Sequence, residues 1–215
     1  MAGLVWDDTG KRKFETGVSK VVLYVRDAAG DYPLGVAWNG VMSITKSPEG
    51  GEPSDLYADN IKYATMMSTE QLKVSLEAYT FPDEFAGCDG SEAVLTGVYA
   101  NQQPRKAFGL AWRTEVGNDV DANLGYKSHV VYGCLAAPSE SAYSTINDSP
   151  DAITFSWDIS TTPEPLTGSQ PVASFVIDST VVDSAKMALL EAELFGDVDG
   201  DANLPLPDDL VLLLT

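Results

Sequence analysis

The sequence predicts a mainly β protein, a sandwich or a barrel with one short flanking helix and a C-terminal arm built from a strand and a helix. Three observations favour this class. Segments rich in aromatic and β-branched residues recur along the chain, and clusters of Gly, Pro, Asn, Asp and Ser separate them. The length of 215 residues, 44% of them hydrophobic, suits one large β domain with an appendage.

The first two strands are predicted at 18–26 (VSKVVLYVR) and 34–46 (LGVAWNGVMSITK). The second alternates between apolar and polar residues from Ala37 onward, which is typical of a strand. Asn39-Gly40 interrupts it with a dipeptide that commonly forms hairpin turns. Apolar residues flank the dipeptide on both sides, so the sequence leaves two interpretations open: a turn, or a glycine kink inside one long strand.

A long surface loop is predicted at 46–60, and the residues that define it are those at 47–60 (SPEGGEPSDLYADN). The fourteen residues include two prolines, two glycines and four acids, and they have no strand or helix period. Long loops of this kind are usually functional or disordered. The sequence therefore leaves open whether this loop contacts a partner or is a mobile tip.

The middle of the chain predicts further strands around one short helix. Residues 81–88 have proline at a first helical position and Asp83 and Glu84 in the first turn, which favours a helix. Strands are predicted on both sides of it, at 61–67, 71–80, 93–100, 106–116, 126–136 and 152–160.

The last part of the chain begins with a predicted linker. Residues 161–171 (TTPEPLTGSQP) contain three prolines. A strand is predicted at 172–180 and a helix at 183–195, with Asp183 near the N-cap and Gly196 beyond the end. The predicted domain plan is a β domain at 1–162, a linker at 163–171 and an acidic C-terminal arm at 172–215.

The charge is strongly negative and unevenly distributed. The chain carries a net charge of −19, and residues 139–215 contain 14 acidic residues but only one basic residue, Lys186. Nucleic-acid binding proteins need Lys and Arg to displace counterions from phosphates, so ordinary DNA binding is disfavoured. An acidic surface instead repels DNA over about 8 Å at physiological salt.

No apolar run approaches the roughly 20 residues of a membrane-spanning helix. We also expect no secretory signal. The sequence therefore predicts no membrane partner and a protein that stays in the cytosol where it is made.

No residue is predicted to be catalytic, to bind a cofactor or to hold a metal ion. The sharpest metal candidate is the loop from Asp197 to Asp208, whose acids at the first, third and fifth positions match those of a Ca²⁺ loop. Ala202 stands where the sharp turn requires glycine, and Asp208 stands where a longer bidentate Glu is usual. An acidic loop is the favoured interpretation, and residues 119–123 repeat the pattern in a shorter and weaker form.

The one histidine and the two cysteines form no motif typical of a catalytic or metal site. His129 is the sole histidine, which excludes a site built on two histidines, and it lies in a predicted strand. A general base would also need a nucleophile and an orienting group nearby. Cys88 and Cys134 lie in no CxxC motif and are interpreted as small buried apolar groups.

Two further sets of residues have competing interpretations. Lys11-Arg12-Lys13 is the only basic triplet, and it predicts either a solvated turn or a docking element for an acidic surface of a neighbouring subunit. The tryptophans could line a sugar-binding face, but three of them lie in predicted strands, where core or subunit packing is commoner. They are Trp6, Trp38, Trp112 and Trp157.

Neighbouring carboxylates, such as Asp83 with Glu84 or Glu191 with Glu193, could serve a glycoside hydrolase. The chain contains 32 acidic residues, so some neighbouring pairs are unavoidable. These pairs carry almost no information about function.

Several segments, taken together, resemble the major tail proteins, the tail-tube subunits, of long-tailed bacteriophages that infect Gram-positive bacteria. The resemblance covers most of the chain, although no single segment is diagnostic. The segments are LVWDDTG at 4–10, FPDEF at 81–85, AFGLAWRTEVGN at 107–118, INDSPDAITFSW at 146–157 and LPLPD at 204–208.

The resemblance implies a β-sandwich with a flanking helix that polymerises as rings, commonly of six, stacked into the phage tail tube. Genomic DNA would pass from capsid to host through this tube without specific binding. Long hairpin strands would line the bore, and residues 47–60 would reach the next ring.

The same resemblance implies that further partners are the tape measure, tail tip and tail terminator proteins. The protein would be assembled in the host cytoplasm and reside in the virion, without enzymatic activity or cofactor. The alternative functions are a carbohydrate-binding β-sandwich module and, less well supported, a hydrolase.

Overall fold

The computed structural model describes residues 3–143, 145, 152–197 and 200–215. The described residues form a mainly β structure with three short α-helices. The helices are α1 Ala86–Asp89, preceded by a 3-10 turn at Asp83–Phe85, α2 Ser184–Phe195 and α3 Pro207–Leu214. The strands are β1 Phe14–Val25, β2 Gly35–Ala37, β3 Val41–Glu49, β4 Pro53–Ala58, β5 Ile61–Met67, β6 Gln71–Ala78, β7 Glu92–Leu95, β8 Val98–Ala100, β9 Phe108–Gly117, β10 Gly125–Ala136, β11 Phe155–Thr161 and β12 Ser174–Asp178.

One large antiparallel sheet has the strand order β2-β1-β9-β10-β11-β6-β3. Strand β10 is shared between two parts of this sheet: residues 127–131 pair with β12, and residues 134–136 pair with β11. The sheet therefore changes direction in the middle of β10. One half contains β2, β1, β9 and β12, the other contains β11, β6 and β3, and an apolar core draws residues from both halves.

Gly133 allows this change of direction. It has a φ of +58°, and it lies within the register shift between Val131 and Cys134 in the pairing of β10 with β9. Its carbonyl accepts a hydrogen bond of 3.0 Å from the backbone N–H of Thr162. A Cβ atom at this position would collide with the carbonyl oxygen of Thr162. Glycine therefore meets both a conformational and a steric requirement here.

Two cores lie on opposite faces of β1, β9 and β10. The first, between the two halves of the sheet, includes Trp38, Phe85, Leu110 and Trp157. The second lies between the other face of β1, β9 and β10 and the helices α2 and α3. Its fully buried members include Tyr24, Tyr32, Tyr132, Leu190, Leu194 and Leu210.

The sequence of β1 explains its position between two cores. Successive side chains of a strand point to opposite faces. Val21 and Leu23 accordingly enter the first core, whereas Val22 and Tyr24 enter the second. A strand buried on both faces has a continuous apolar run. Strand β6 instead alternates, because only one of its faces is covered; its buried residues are Val74, Leu76 and Ala78.

The C-terminal region packs on the large sheet of the same chain. Helix α2 begins as predicted, with the Asp183 carboxylate accepting hydrogen bonds from the backbone N–H groups of Ala185 and Lys186. Helix α3 was not predicted, although Pro207 at its start and two acids in its first turn are helix signals.

The predicted linker contacts both neighbouring parts of the structure. Glu164 and Val172 exchange two backbone hydrogen bonds of 2.9 Å. The Glu164 carboxylate is buried and forms an ion pair of 3.0 Å with Arg26 of the sheet. The division of the chain at 163–171 into separate folding units stays a prediction.

The segment 34–46 is neither one strand nor a hairpin. The chain turns at Asn39-Gly40, where Gly40 has a φ of +78°. On either side of the turn, β2 pairs with β1 and β3 pairs with β6. The sequence could not distinguish this arrangement because strand partners, and not the local pattern, decide it.

Two other predictions are corrected by local hairpins. The predicted loop 47–60 is wrong: β3 extends to Glu49, and β4 pairs with β5 around a turn at Asp59-Asn60. Both turn residues have positive φ, 52° and 62°, which Asp and Asn tolerate better than most residues. The predicted strand 93–100 is also a hairpin, of β7 and β8, with Gly97 in its turn. The remaining predicted strands and both predicted helices are confirmed within a few residues.

We expect Gly133→Ala to destabilise the subunit by about 2–5 kcal/mol, since it adds left-handed strain to a steric collision. Gly168→Ala is the matched control, because Gly168 has a φ of +77° but open space around it. The control should cost only about 1–2 kcal/mol. Urea unfolding measures both variants, and equal losses would contradict the role of Gly133.

Candidate assembly surface

The hairpin of β4 and β5 is the most unusual surface of the subunit. Every residue from 52 to 70 is exposed. Among the residues that the structure describes, the two strands pair only with each other and belong to neither core. Six large apolar side chains nevertheless project from it: Leu56, Tyr57, Ile61, Tyr63, Met66 and Met67.

Polar contacts stabilise the hairpin internally. Asp55 forms an ion pair of 2.7 Å with Lys62 and accepts a hydrogen bond of 2.8 Å from Thr65 Oγ1. The hydrogen bond from Lys62 is the main cause that lowers the pKa of Asp55. An isolated two-stranded hairpin is at best marginally stable in water, and contiguous exposed apolar side chains mark contact sites. This hairpin is therefore suited to packing against another protein surface.

The hairpin of β7 and β8 has the same character on a smaller scale. A hydrogen bond of 2.8 Å from Ser91 Oγ to Asn101 Oδ1 closes its base. Its strands also pair only with each other within the described ranges. Its exposed apolar side chains are Val94, Leu95, Val98 and Tyr99.

The large sheet ends in two open edges. Within the described part of the chain, β2 pairs only with β1, and β3 pairs only with β6. The outer backbone groups of such strands can pair with a strand of another chain. The subunit thus combines open sheet edges with projecting apolar hairpins.

A third apolar element precedes β1. Leu4, Val5 and Trp6 are between 72% and 82% exposed. The segment is anchored behind them at Gly10, whose N–H donates to Asp119 Oδ1 at 2.9 Å and whose carbonyl accepts from Asn118 Nδ2 at 2.8 Å. We refer to residues 3–9 as the N-terminal arm, or simply the arm, as distinct from the predicted C-terminal arm at 172–215.

The basic triplet lies at the base of this arm. Lys11 forms an ion pair of 3.3 Å with Asp8, Arg12 contacts Asp7, and the Lys13 ammonium donates to Thr180 Oγ1 at 3.3 Å. These contacts are those of an exposed turn. Docking of the triplet onto a neighbouring subunit stays a prediction.

His129 is part of a polar cluster at one end of the first core. Its ring stacks on Trp112, with centroids 5.1 Å apart. Its Nε2 lies 2.9 Å from Thr114 Oγ1 and 3.2 Å from Glu15 Oε1, and Lys127 donates to Glu15 at 2.6 Å. Burial lowers the pKa of His129, whereas the hydrogen bond from Lys127 is the main cause that lowers the pKa of Glu15 to about 2.

This cluster differs from a catalytic triad. In a triad, a carboxylate orients the histidine through the ring nitrogen opposite the nucleophile. Here both the hydroxyl and the carboxylate contact the same nitrogen, Nε2. The buried Nδ1 has no hydrogen-bond partner among the described residues.

The tryptophans and cysteines are mostly core residues. Trp38, Trp112 and Trp157 are at most 3% exposed, which confirms core packing and excludes a sugar-binding face built from all four tryptophans. Trp6 alone is exposed. Cys88 and Cys134 are buried in the first core, where burial raises the pKa of Cys88 to about 12. Their interpretation as buried apolar groups is confirmed.

The acidic candidates are engaged in structural contacts. Asp208 accepts hydrogen bonds of 2.8 and 2.7 Å from the N–H and Oγ1 of Thr167. Asp199 of the same candidate loop lies outside the described residues. In the shorter acidic segment 119–123, Asp119 accepts a hydrogen bond from the Gly10 N–H, and Asp121 accepts one from the Asn123 N–H. No group of three or more potential metal ligands occurs among the described residues.

The paired acids of α2 are engaged in structural contacts, whereas Asp83 and Glu84 line an open cavity of about 540 Å³. Glu191 forms an ion pair with Arg113, and Glu193 accepts a hydrogen bond from Asn203. Asp83 and Glu84 lie on the exposed first turn before α1.

A cavity of about 600 Å³ lies beside α1 and β11. Aromatic side chains and amides line it, including Phe81, Tyr143, Asn101 and Gln103. Asp89 also lines it; burial is the main cause that raises the pKa of this carboxyl group, and Arg105 contacts it at 3.5 Å. This lining combines stacking surfaces with hydrogen-bonding groups.

Comparison with known proteins gives little further information. No family model matches the sequence, and no curated protein matches it. In addition, none of the helices in the described ranges is long and apolar enough to span a membrane.

Among solved structures, the chain is similar to one from a sheath-tube complex of an extracellular contractile injection system in its extended state. The identity is 14%, the TM-score is 0.33, and the match covers 74% of this chain and 88% of the other. A chain from the sheath/tube terminator of such a system matches at 13% identity with a TM-score of 0.30, covering 81% and 99% of the two chains. With TM-scores this low, neither likeness carries an argument about this chain.

We expect the contribution of His129 to the free energy of unfolding to fall as the pH decreases from 7 toward 5. The folded pKa of His129 lies below its ordinary value of 6.5, so the unfolded chain takes up this proton first. His129→Gln should remove this part of the pH dependence. Glu15→Gln is the control: it should instead flatten the loss between the ordinary pKa of 4.5 and about 2. An unchanged slope between pH 7 and 5 in His129→Gln would contradict the assignment.

Proposed function

We propose that this chain is a structural subunit that polymerises with copies of itself as stacked rings, and that the resulting tube is the tail tube of a long-tailed bacteriophage. The observation that carries the proposal is the β4–β5 hairpin, which exposes six large apolar side chains and pairs with no other strand among the described residues. The segments that resemble tail-tube subunits support the same assignment.

The dimensions of the hairpin fit an assembly element. Its strands contain six and seven residues, so it projects by roughly 20 Å at about 3.3 Å per residue. Hairpins from neighbouring copies can pair edge to edge and continue one sheet. A sheet that closes on itself around a ring has no open edges left, which ties the stability of each hairpin to assembly.

The charge fits a tube that conducts DNA. A net charge of −19 makes free subunits repel one another until a nucleus orders them. We propose an acidic bore, past which double-stranded DNA slides without specific binding. The tape measure, tail tip and tail terminator proteins are the further proposed partners, with assembly in the host cytoplasm and the virion as the final location.

We expect Tyr63→Ser and Ile61→Ser to reduce the length or number of tubes seen by negative-stain microscopy at high protein concentration. Each removes an exposed apolar contact of the hairpin without touching either core. Leu189→Ser is the matched control on the exposed face of α2 and should assemble like the unmodified protein.

Circular dichroism should show that all three variants remain folded. Stable monomers of the unmodified protein, at every concentration tested, would contradict the proposed function.

A second candidate function is carbohydrate binding, and the cavity beside α1 and β11 is the observation that favours it. Aromatic faces and amides in one cavity can stack on and hydrogen-bond to sugar rings. Tyr143, which is 78% exposed, would be its outer contact.

If this second function holds, a glycan array should give specific hits that Tyr143→Ala weakens by at least tenfold, or about 1.4 kcal/mol. Tyr57→Ala, at an exposed tyrosine on the β4–β5 hairpin, is the control and should retain the hits. An array without hits would exclude sugar binding as the function.

A further inference from the structure

A mainly apolar groove of about 460 Å³ runs between β12 and α3. Its walls include Val176 and Val181 on one side and Leu210, Val211 and Leu214 on the other. Val181 is 80% exposed. The groove thus presents aliphatic side chains to solvent at the margin of the second core.

The edge of β12 forms one wall of the groove. Tyr132 donates its N–H to the carbonyl of Ala173, and Ser179 donates its N–H to the carbonyl of Tyr126, both across to β10. Since backbone groups of a strand alternate in direction, those of Ser174 and Val176 point away from β10. In the part of the chain that the structure describes, β12 pairs with no strand on that side. An extended segment can therefore add to this edge.

The arm has the properties of such a segment. Its residues Leu4, Val5 and Trp6 are consecutive, apolar and exposed. In an added strand, Leu4 and Trp6 would point to one face and Val5 to the other. One face would then meet the aliphatic side chains of α3, where a tryptophan contributes a large apolar contact.

Charge favours the same pairing. Lys11, Arg12 and Lys13 follow the arm, whereas the surroundings of the groove are acidic. Asp178 lines the groove, Asp208 and Asp209 lie in the first turn of α3, and Lys13 of the same chain donates to Thr180 near one end of β12. The one cation of residues 139–215, Lys186, already donates to the carbonyls of Leu214 and Thr215, at 3.0 and 2.5 Å. Complementary charge of this kind guides association and orientation.

We propose that the arm of one copy of this chain docks into the β12–α3 groove of a second copy, as an added strand. The arm does not occupy the groove of its own subunit, because Leu4, Val5 and Trp6 are all exposed and Gly10 is held at the turn containing Asn118 and Asp119. The contact joins two different surfaces, so it propagates from copy to copy as a ring or a filament requires. This inference rests on the proposed self-assembly and specifies one of its contacts.

Cysteine cross-linking between two differently tagged preparations tests the contact. One preparation carries Val5→Cys, which leaves Trp6 in place, and the other carries Val176→Cys. Cys88 and Cys134 are buried and burial raises the pKa of both thiols, so they do not compete under mild oxidation. We expect the mixed disulfide to exceed, by on the order of tenfold, that of a control pair with Leu189→Cys, at an exposed leucine of α2.

A chain that carries both cysteines distinguishes docking into a second copy from docking into the groove of the same copy. It should form a ladder of covalent oligomers, and a monomeric internal disulfide at low concentration would overturn the proposal. A yield equal to that of the Leu189 control would overturn it as well.

A third variant, Trp6→Ser, should weaken self-association by about tenfold while the subunit stays folded. If the unmodified protein forms tubes but the arm does not cross-link, this inference fails and the proposed function stands. If the unmodified protein does not assemble and the cysteine variants do not cross-link, both this inference and the proposed function fail.

Discussion

Burial of β1, β9 and β10 on both faces is the constraint on which the rest of the subunit depends. The folded-over strands β11, β6 and β3 cover one face of these three strands, and α2 and α3 cover the other. Strands buried on both faces need apolar residues at consecutive positions. The runs VVLY at 21–24 and VVY at 130–132 meet this need. Gly133 then makes the fold-over possible, because a side chain there would collide with the backbone of Thr162.

This arrangement uses the helices and both halves of the sheet to cover the subunit's own cores. Nothing in the described part of the chain remains to cover the β4–β5 hairpin, the β7–β8 hairpin or the arm, although each exposes large apolar side chains. The cost of such exposure is avoided only when another surface covers it. A subunit that is complete in its cores but incomplete at its projections is what a self-assembling protein requires.

The electrostatics act in the opposite direction. The negative charge is concentrated after residue 138, where Lys186 is the only basic residue. In the proposed assembly, short-range apolar contacts at the projections would balance the long-range repulsion between copies, and salt would weaken that repulsion by screening it. Assembly by these surfaces should therefore depend on salt and on nucleation, while the fold of each subunit depends mainly on its two cores.

The sequence by itself determined the class of the fold, most strands, the N-cap of α2 by Asp183 and the burial of both cysteines, because these follow from local pattern and side-chain chemistry. Tertiary structure alone decided which strands pair. It thereby placed the turn at Asn39-Gly40 between different partners and made a hairpin of the predicted loop 47–60. The residue pattern predicted the candidate surface as a loop of open purpose, and its reach to a next ring was implied by the resemblance alone. Exposure of an apolar residue depends on what the rest of the chain leaves uncovered. Pairing and exposure are long-range properties, and no local pattern of residues encodes them.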